Sequence, residues 1–81
     1  MSDKTEKKLK NVLAKILLID EKEISDSMSR KNLKEWDSMA HLMLVSELES
    51  AFKVTLDDED IMEIQTVADI KKILKKLGIP K

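Results

Sequence analysis

Leu9, Val12, Leu13, Ile16 and Leu17 recur at i, i+3, i+4, i+7 and i+8, the spacing of one apolar stripe on a helix. The pattern predicts a first helix over residues 4–18, with lysines 7, 8, 10 and 15 mostly off the stripe. A second run, Leu42, Leu44, Val45, Leu48 and Phe52, predicts a helix over residues 38–52 with Leu42, Val45, Leu48 and Phe52 facing inward. Val67, Ile70, Ile73, Leu74 and Leu77 predict the last helix. Thr66-Val-Ala-Asp69 opens it, close to a capping box with Asp where Glu is usual. Gly78 offers a left-handed stop, and Pro80 prevents continuation. Four consecutive acids from Asp57 to Asp60 predict a short third helix over residues 57–63, its acids at the positive end. Val54 and Leu56 are expected to pack inward just before it. Residues 20–36 are rich in Ser, Asp and Lys and hold no sustained period, so they read as a long loop anchored by Ile24, Met28 and Leu33. On this reading the loop crosses the length of the bundle to join two roughly parallel helices. The expected fold is all-α: a four-helix bundle of three longer helices and one short one, as a single domain over residues 1–81.

Composition agrees with helices. The chain has one Gly, one Pro and many Lys, Glu and Leu. Its only aromatic residues are Trp36 and Phe52, so Leu, Ile, Val and Met must build the core. A domain of 81 residues buries only about 60–65% of its unfolded surface, which leaves too little core to enclose a deep catalytic pocket. There is no cysteine, which excludes disulfides and thiolate metal sites. No apolar run follows the first eight residues, and Lys15 interrupts the best candidate at 12–19, so neither a leader nor a membrane span is expected. A cytoplasmic monomer is the expectation.

Charge is segregated although the net is −1. Residues 1–34 carry +3, residues 35–63 carry −8, and residues 64–81 carry +4. An acidic middle disfavours nucleic acid and favours basic protein surfaces. Within that block stands Asp37-Ser38-Met39, directly before the apolar run of the second helix. Asp37 is an adequate N-cap, which places Ser38 on the first helical residue. A hydroxyl there sits at the positive end of the helix dipole, where phosphate is stabilised. The ordinary alternative is that Ser38 itself is the cap, but His41 stands where a capping box would want Glu or Gln.

The stretch from Trp36 to Phe52 resembles the carrier helix of acyl carrier proteins, and the resemblance extends over nearly the whole chain. An amphipathic first helix and a long loop precede Asp37-Ser38-Met39. Leu48-Glu49-Ser50-Ala51-Phe52, Val54-x-Leu56-Asp-Asp-Glu-Asp and Ile64-Gln-Thr-Val67-x-Asp-Ile70 follow at the family's spacing. The resemblance implies that Ser38 carries covalent 4′-phosphopantetheine, donated by coenzyme A through a phosphopantetheinyl transferase. It implies a non-catalytic carrier that holds acyl cargo as a thioester and serves acyl- or aminoacyl-loading ligases and acyl-processing or transfer enzymes. Asp37 would cap the helix beside the site.

The chain departs from members that serve fatty-acid synthesis. They usually read Gly-x-Asp-Ser-Leu, where this chain has Glu35-Trp36-Asp37-Ser38-Met39. Their second helix is strongly acidic outside; here Ala40, His41 and Met43 dilute the acid and leave Glu47 and Glu49. Trp36, Met39, Ala40, Met43 and Glu47 are therefore the residues expected to meet partners, with the methionines as a soft contact surface and Trp36 partly buried. The Trp-Asp-Ser form resembles specialised carriers, including aminoacyl carriers. A rival of another class is an unmodified helical module that docks through its acidic face. Ser38, His41 and Asp37 do not make a nucleophilic triad, which also needs an oxyanion hole and a cleft, so His41 is expected at the surface. The acids at 57–60 lack the bend glycine of a calcium loop.

Overall fold

Four helices form where apolar stripes and caps coincide: α1 over Asp3–Leu17, α2 over Ser38–Phe52, α3 over Asp58–Glu63 and α4 over Val67–Lys76. The computed structural model describes residues 3–79; Pro80, expected to block continuation of the last helix, lies outside them. No strand occurs among the described residues, only one isolated antiparallel bridge between Ser29 and Thr66. The chain is all-α, with three longer helices and one short one, as the periodicity predicts.

Each start has an identifiable cause. The Asp37 carboxylate accepts the Ala40 N–H at 2.8 Å to open α2, and Asp57 does the same for Asp60 at 2.8 Å to open α3. Thr66 and Asp69 form a reciprocal capping box on α4, so Asp substitutes for Glu there at full geometry. The stops share one device. Leu18, Lys53 and Gly78 follow α1, α2 and α4 with φ of 57°, 54° and 86°. In each case the next amide bonds back to the carbonyl five residues earlier: Ile19 to Ala14, Val54 to Glu49 and Ile79 to Leu74. Only the last stop uses glycine; at Leu18 and Lys53 a side chain bears the left-handed conformation, which carries a steric cost.

The core is built from the stripes. Leu9, Leu13 and Leu17 of α1, Leu44 and Leu48 of α2, and Val67, Ile70 and Leu74 of α4 are all buried, with Ile24, Leu56 and Ile64 from the connections. Leu33 and Met28 are half-buried against them. Leu42 corrects the sequence expectation. It is 64% exposed, because it lies two residues and so about 200° round the helix from the buried Leu44.

A second correction concerns direction. Lys8 lies over the Phe52 ring, 5.5 Å from its centroid, and Lys15 pairs with Glu47 at 3.5 Å. Rising numbers on α1 meet falling numbers on α2, so these helices are antiparallel and not parallel. The loop of residues 18–37 therefore does not cross the length of the bundle. It is held instead against the α3–α4 junction: Arg30 N–H donates to Gln65, and Met28 and Asp26 carbonyls accept from Val67 and Ala68. Lys71 of α4 adds a charged tie, reaching Glu6 of α1 at 2.9 Å and Asp26 of the loop at 2.6 Å. That ammonium holds the Glu6 carboxyl below the usual glutamate range, and Lys71 itself is raised by its two hydrogen-bonded carboxylates.

Candidate functional site

Ser38 is the first residue of α2 and is exposed, as are Asp37 before it and Met39 after it. The Asp37 backbone is extended, with φ −86° and ψ −175°, and its carbonyl takes the first helical hydrogen bond from His41 at 2.9 Å. Its carboxylate engages the Ala40 amide alone, so the amides of Ser38 and Met39 remain without intrahelical acceptors at the positive end of α2. An outward hydroxyl beside those amides suits a phosphodiester. The donor set therefore fits covalent phosphopantetheine at this position.

Behind Ser38 the sequence expectation needs three corrections. Trp36 is 2% exposed, fully buried rather than partly so. Ala40 is 8% exposed and faces the core, four residues before Leu44 on the same side of α2. His41 is 5% exposed and is not a surface residue. The Trp36 indole N–H donates to Nδ1 of His41 at 3.0 Å, and the two rings stack with centroids 6.2 Å apart. Indole nitrogen only donates, so Nδ1 accepts and the imidazole proton sits on Nε2. Nε2–H then donates to the Ile61 carbonyl of α3 at 2.9 Å. Both ring nitrogens are committed, which removes His41 as a general base for Ser38.

The outer face of α2 carries less free acid than composition suggests. Glu47 is half-exposed and paired with Lys15, while Glu49 accepts the Leu56 amide at 2.9 Å and pins the α2–α3 connection. Exposed instead are Met39 at 72%, Leu42 at 64% and Met43 at 51%, one apolar patch at i, i+3 and i+4 beginning next to Ser38. Leu42 belongs to this patch, and sequence reasoning missed it. Once Leu44, Val45 and Leu48 are known to face inward, helix geometry turns residue 42 away.

The acidic run of α3 has structural duties. Asp60 is buried at 3% exposure and pairs with Lys76 of α4 at 2.7 Å. The hydrogen bond from Lys76 holds its carboxyl below the usual aspartate range. No cluster of three or more His, Cys, Asp or Glu suited to a metal occurs among the described residues. A cleft of about 400 Å³, lined by Lys4, Lys8, Phe52, Lys53 and Ile79, lies at the far end of α2 from Ser38.

Known proteins share this sequence along most of its length. The family described as "Phosphopantetheine attachment site" matches residues 7–74. The chain is 35% identical over 72 residues to an acyl carrier protein of Thermotoga maritima, covering 88% of this chain and 89% of the relative. It is 32% identical over 78 residues to an acyl carrier protein of Petrotoga mobilis, covering 95% and 92%. A helical bundle of this kind, matched along most of its length to a phosphopantetheine attachment family, is a non-catalytic carrier whose covalent prosthetic group is 4′-phosphopantetheine. The chain belongs to the acyl carrier protein family. A carrier works through partner enzymes, and no described helix is long and apolar enough to cross a membrane.

Proposed function

We propose that Ser38 is the attachment residue and that the chain carries acyl intermediates through it. The observation that supports this most is the exposed hydroxyl at the first position of a 15-residue helix whose cap is already supplied by Asp37. A phosphopantetheinyl transferase would join the phosphopantetheine of coenzyme A to that hydroxyl, breaking the pyrophosphate bond and releasing adenosine 3′,5′-bisphosphate and the hydroxyl proton. The bound group supplies a terminal thiol on a flexible arm, which holds carboxylic cargo as a thioester. This chain's own part is to expose the serine, offset phosphate charge with the amides of Ser38 and Met39, and offer a surface that enzymes recognise. We include in this reading a single carrier domain over residues 1–81, monomeric and cytoplasmic.

Incubation with coenzyme A and a broad-specificity transferase is expected to add one phosphopantetheine by intact mass, mapped by peptide analysis to Ser38. Mapping to Ser25, Ser27, Ser29, Ser46 or Ser50 would overturn the assignment.

The same reading extends to pathway. Met39, Leu42 and Met43 form an apolar face beside the serine, and Glu47 and Glu49 are held by internal partners. We infer that the cognate loading or transfer enzyme meets α2 through apolar surface, and that the carrier serves a specialised acyl pathway. Lost charge pairs at an interface mainly slow association and relax selectivity. Met43→Glu in the holo-protein is expected to raise kcat/KM with a ketosynthase of fatty-acid synthesis. If the wild type already equals that pathway's own carrier, the specialised reading fails.

A further inference from the structure

Trp36 and His41 occupy particular places relative to the Asp37 cap. Trp36 is the residue before the cap and His41 is the fourth residue of the helix, the two positions that form a hydrophobic staple. A staple fixes the angle at which the chain joins the helix, and here the joint holds Ser38. In this chain the staple is a stacked and hydrogen-bonded ring pair in place of two aliphatic side chains.

The second nitrogen of His41 reaches a different element. α3 has six residues, too few to be stable alone. Its last four carbonyls have no intrahelical acceptor role to fill, and Ile61 supplies one of them. The amide that a longer helix would have aimed at Ile61 belongs to Gln65, and it bonds the Asp69 carboxylate instead. The Gln65 side chain takes the Met62 carbonyl, and His41 Nε2–H takes that of Ile61. One buried imidazole thus completes the end of α3 and closes the staple at the start of α2.

We propose that His41 is a positioning residue for modification at Ser38, and that it makes order in α3 and presentation of the serine rise and fall together. The proposal rests on the reading of Ser38 as the attachment residue. The coupling element is the hydrogen-bonded chain from the Trp36 indole through both imidazole nitrogens to the Ile61 carbonyl. Breaking either bond releases one end of it: without the first, Trp36 no longer fixes the joint at Asp37; without the second, α3 loses a terminal tie.

Three variants separate hydrogen bonding from bulk. Gln at 41 can accept through its carbonyl and donate through its amide, so His41→Gln supplies both kinds of polar group that Leu lacks. His41→Leu keeps apolar volume and makes neither. Trp36→Phe keeps a ring and removes the indole donor. Phosphopantetheine transfer from coenzyme A is followed by intact mass, and amide exchange is read across residues 58–66. His41→Leu is expected to lower transfer kcat/KM about tenfold, the scale set by one lost buried hydrogen bond, and to speed exchange in α3. His41→Gln should restore both, and Trp36→Phe should slow transfer. If His41→Leu loses its helical circular dichroism, Trp36→Phe carries the test of transfer.

Transfer at the wild-type rate in a folded His41→Leu, or in Trp36→Phe where that variant carries the test, overturns the proposal. So does a His41→Gln variant as slow as His41→Leu, because ring shape and not hydrogen bonding would then matter. Wild-type protein that gains no mass at Ser38 overturns the attachment reading instead, and unchanged α3 exchange in His41→Leu then still rejects the fastening of α3.

Discussion

Leu48→Ala is expected to cost about 2–5 kcal/mol, the range for removing a large aliphatic side chain from a packed core. Leu48 is 1% exposed and continues the buried face of α2 formed by Ala40, Leu44 and Val45. The whole domain has little reserve: stabilities run at about 0.05–0.15 kcal/mol per residue, so this one change removes a large share. Urea unfolding measures it. The midpoint should fall with the slope unchanged, since the surface exposed on unfolding barely alters. A midpoint equal to wild type would mean that α2 presents another face to the core.

Two neighbouring substitutions should separate sharply. Ala40→Glu is expected to unfold the domain or cost several kcal/mol, because a carboxylate would enter the core at a position that is 8% exposed. Leu42→Glu should change stability by no more than about 0.5 kcal/mol, since Leu42 already faces solvent. Thermal melts of both variants provide the check. Equal losses would show that the outward placement of Leu42 is wrong. The pair also bears on partner choice. Acid added at 42 or 43 would alter the outer face, whereas acid at 40 would report only on folding.

Local signals in the chain carried most of the fold. The α2 bounds, the Asp37 cap, the Thr66–Asp69 box and the left-handed Gly78 each depend on residues within a few positions of one another. The stripes of α1 and α4 were clear because lysines fill their opposite faces. The start of α2 is apolar nearly all round, so hydrophobicity could not choose between Leu42 and Leu44 there. His41 was misplaced for another reason. Its burial depends on a carbonyl 20 residues away, and a residue's composition says nothing of such a partner. The antiparallel course of α1 and α2 and the docking of the loop on residues 65–68 are likewise long-range facts. The exposed placement of Asp37, Ser38, Met39 and Met43 around the start of α2 was legible from position on a helix. Ala40, expected outside, and Leu42, expected inside, exchange places, and Trp36, expected partly buried, is fully so.

Trp36 is the only tryptophan in the chain, and there is no tyrosine. The indole therefore serves as a built-in optical reporter fixed two positions before Ser38. Emission from unlabelled protein comes from one ring in one buried, hydrogen-bonded setting, with no second source to subtract. Unfolding and modification of the isolated carrier can thus be followed without a dye that would itself add bulk and grease to the face that partners read.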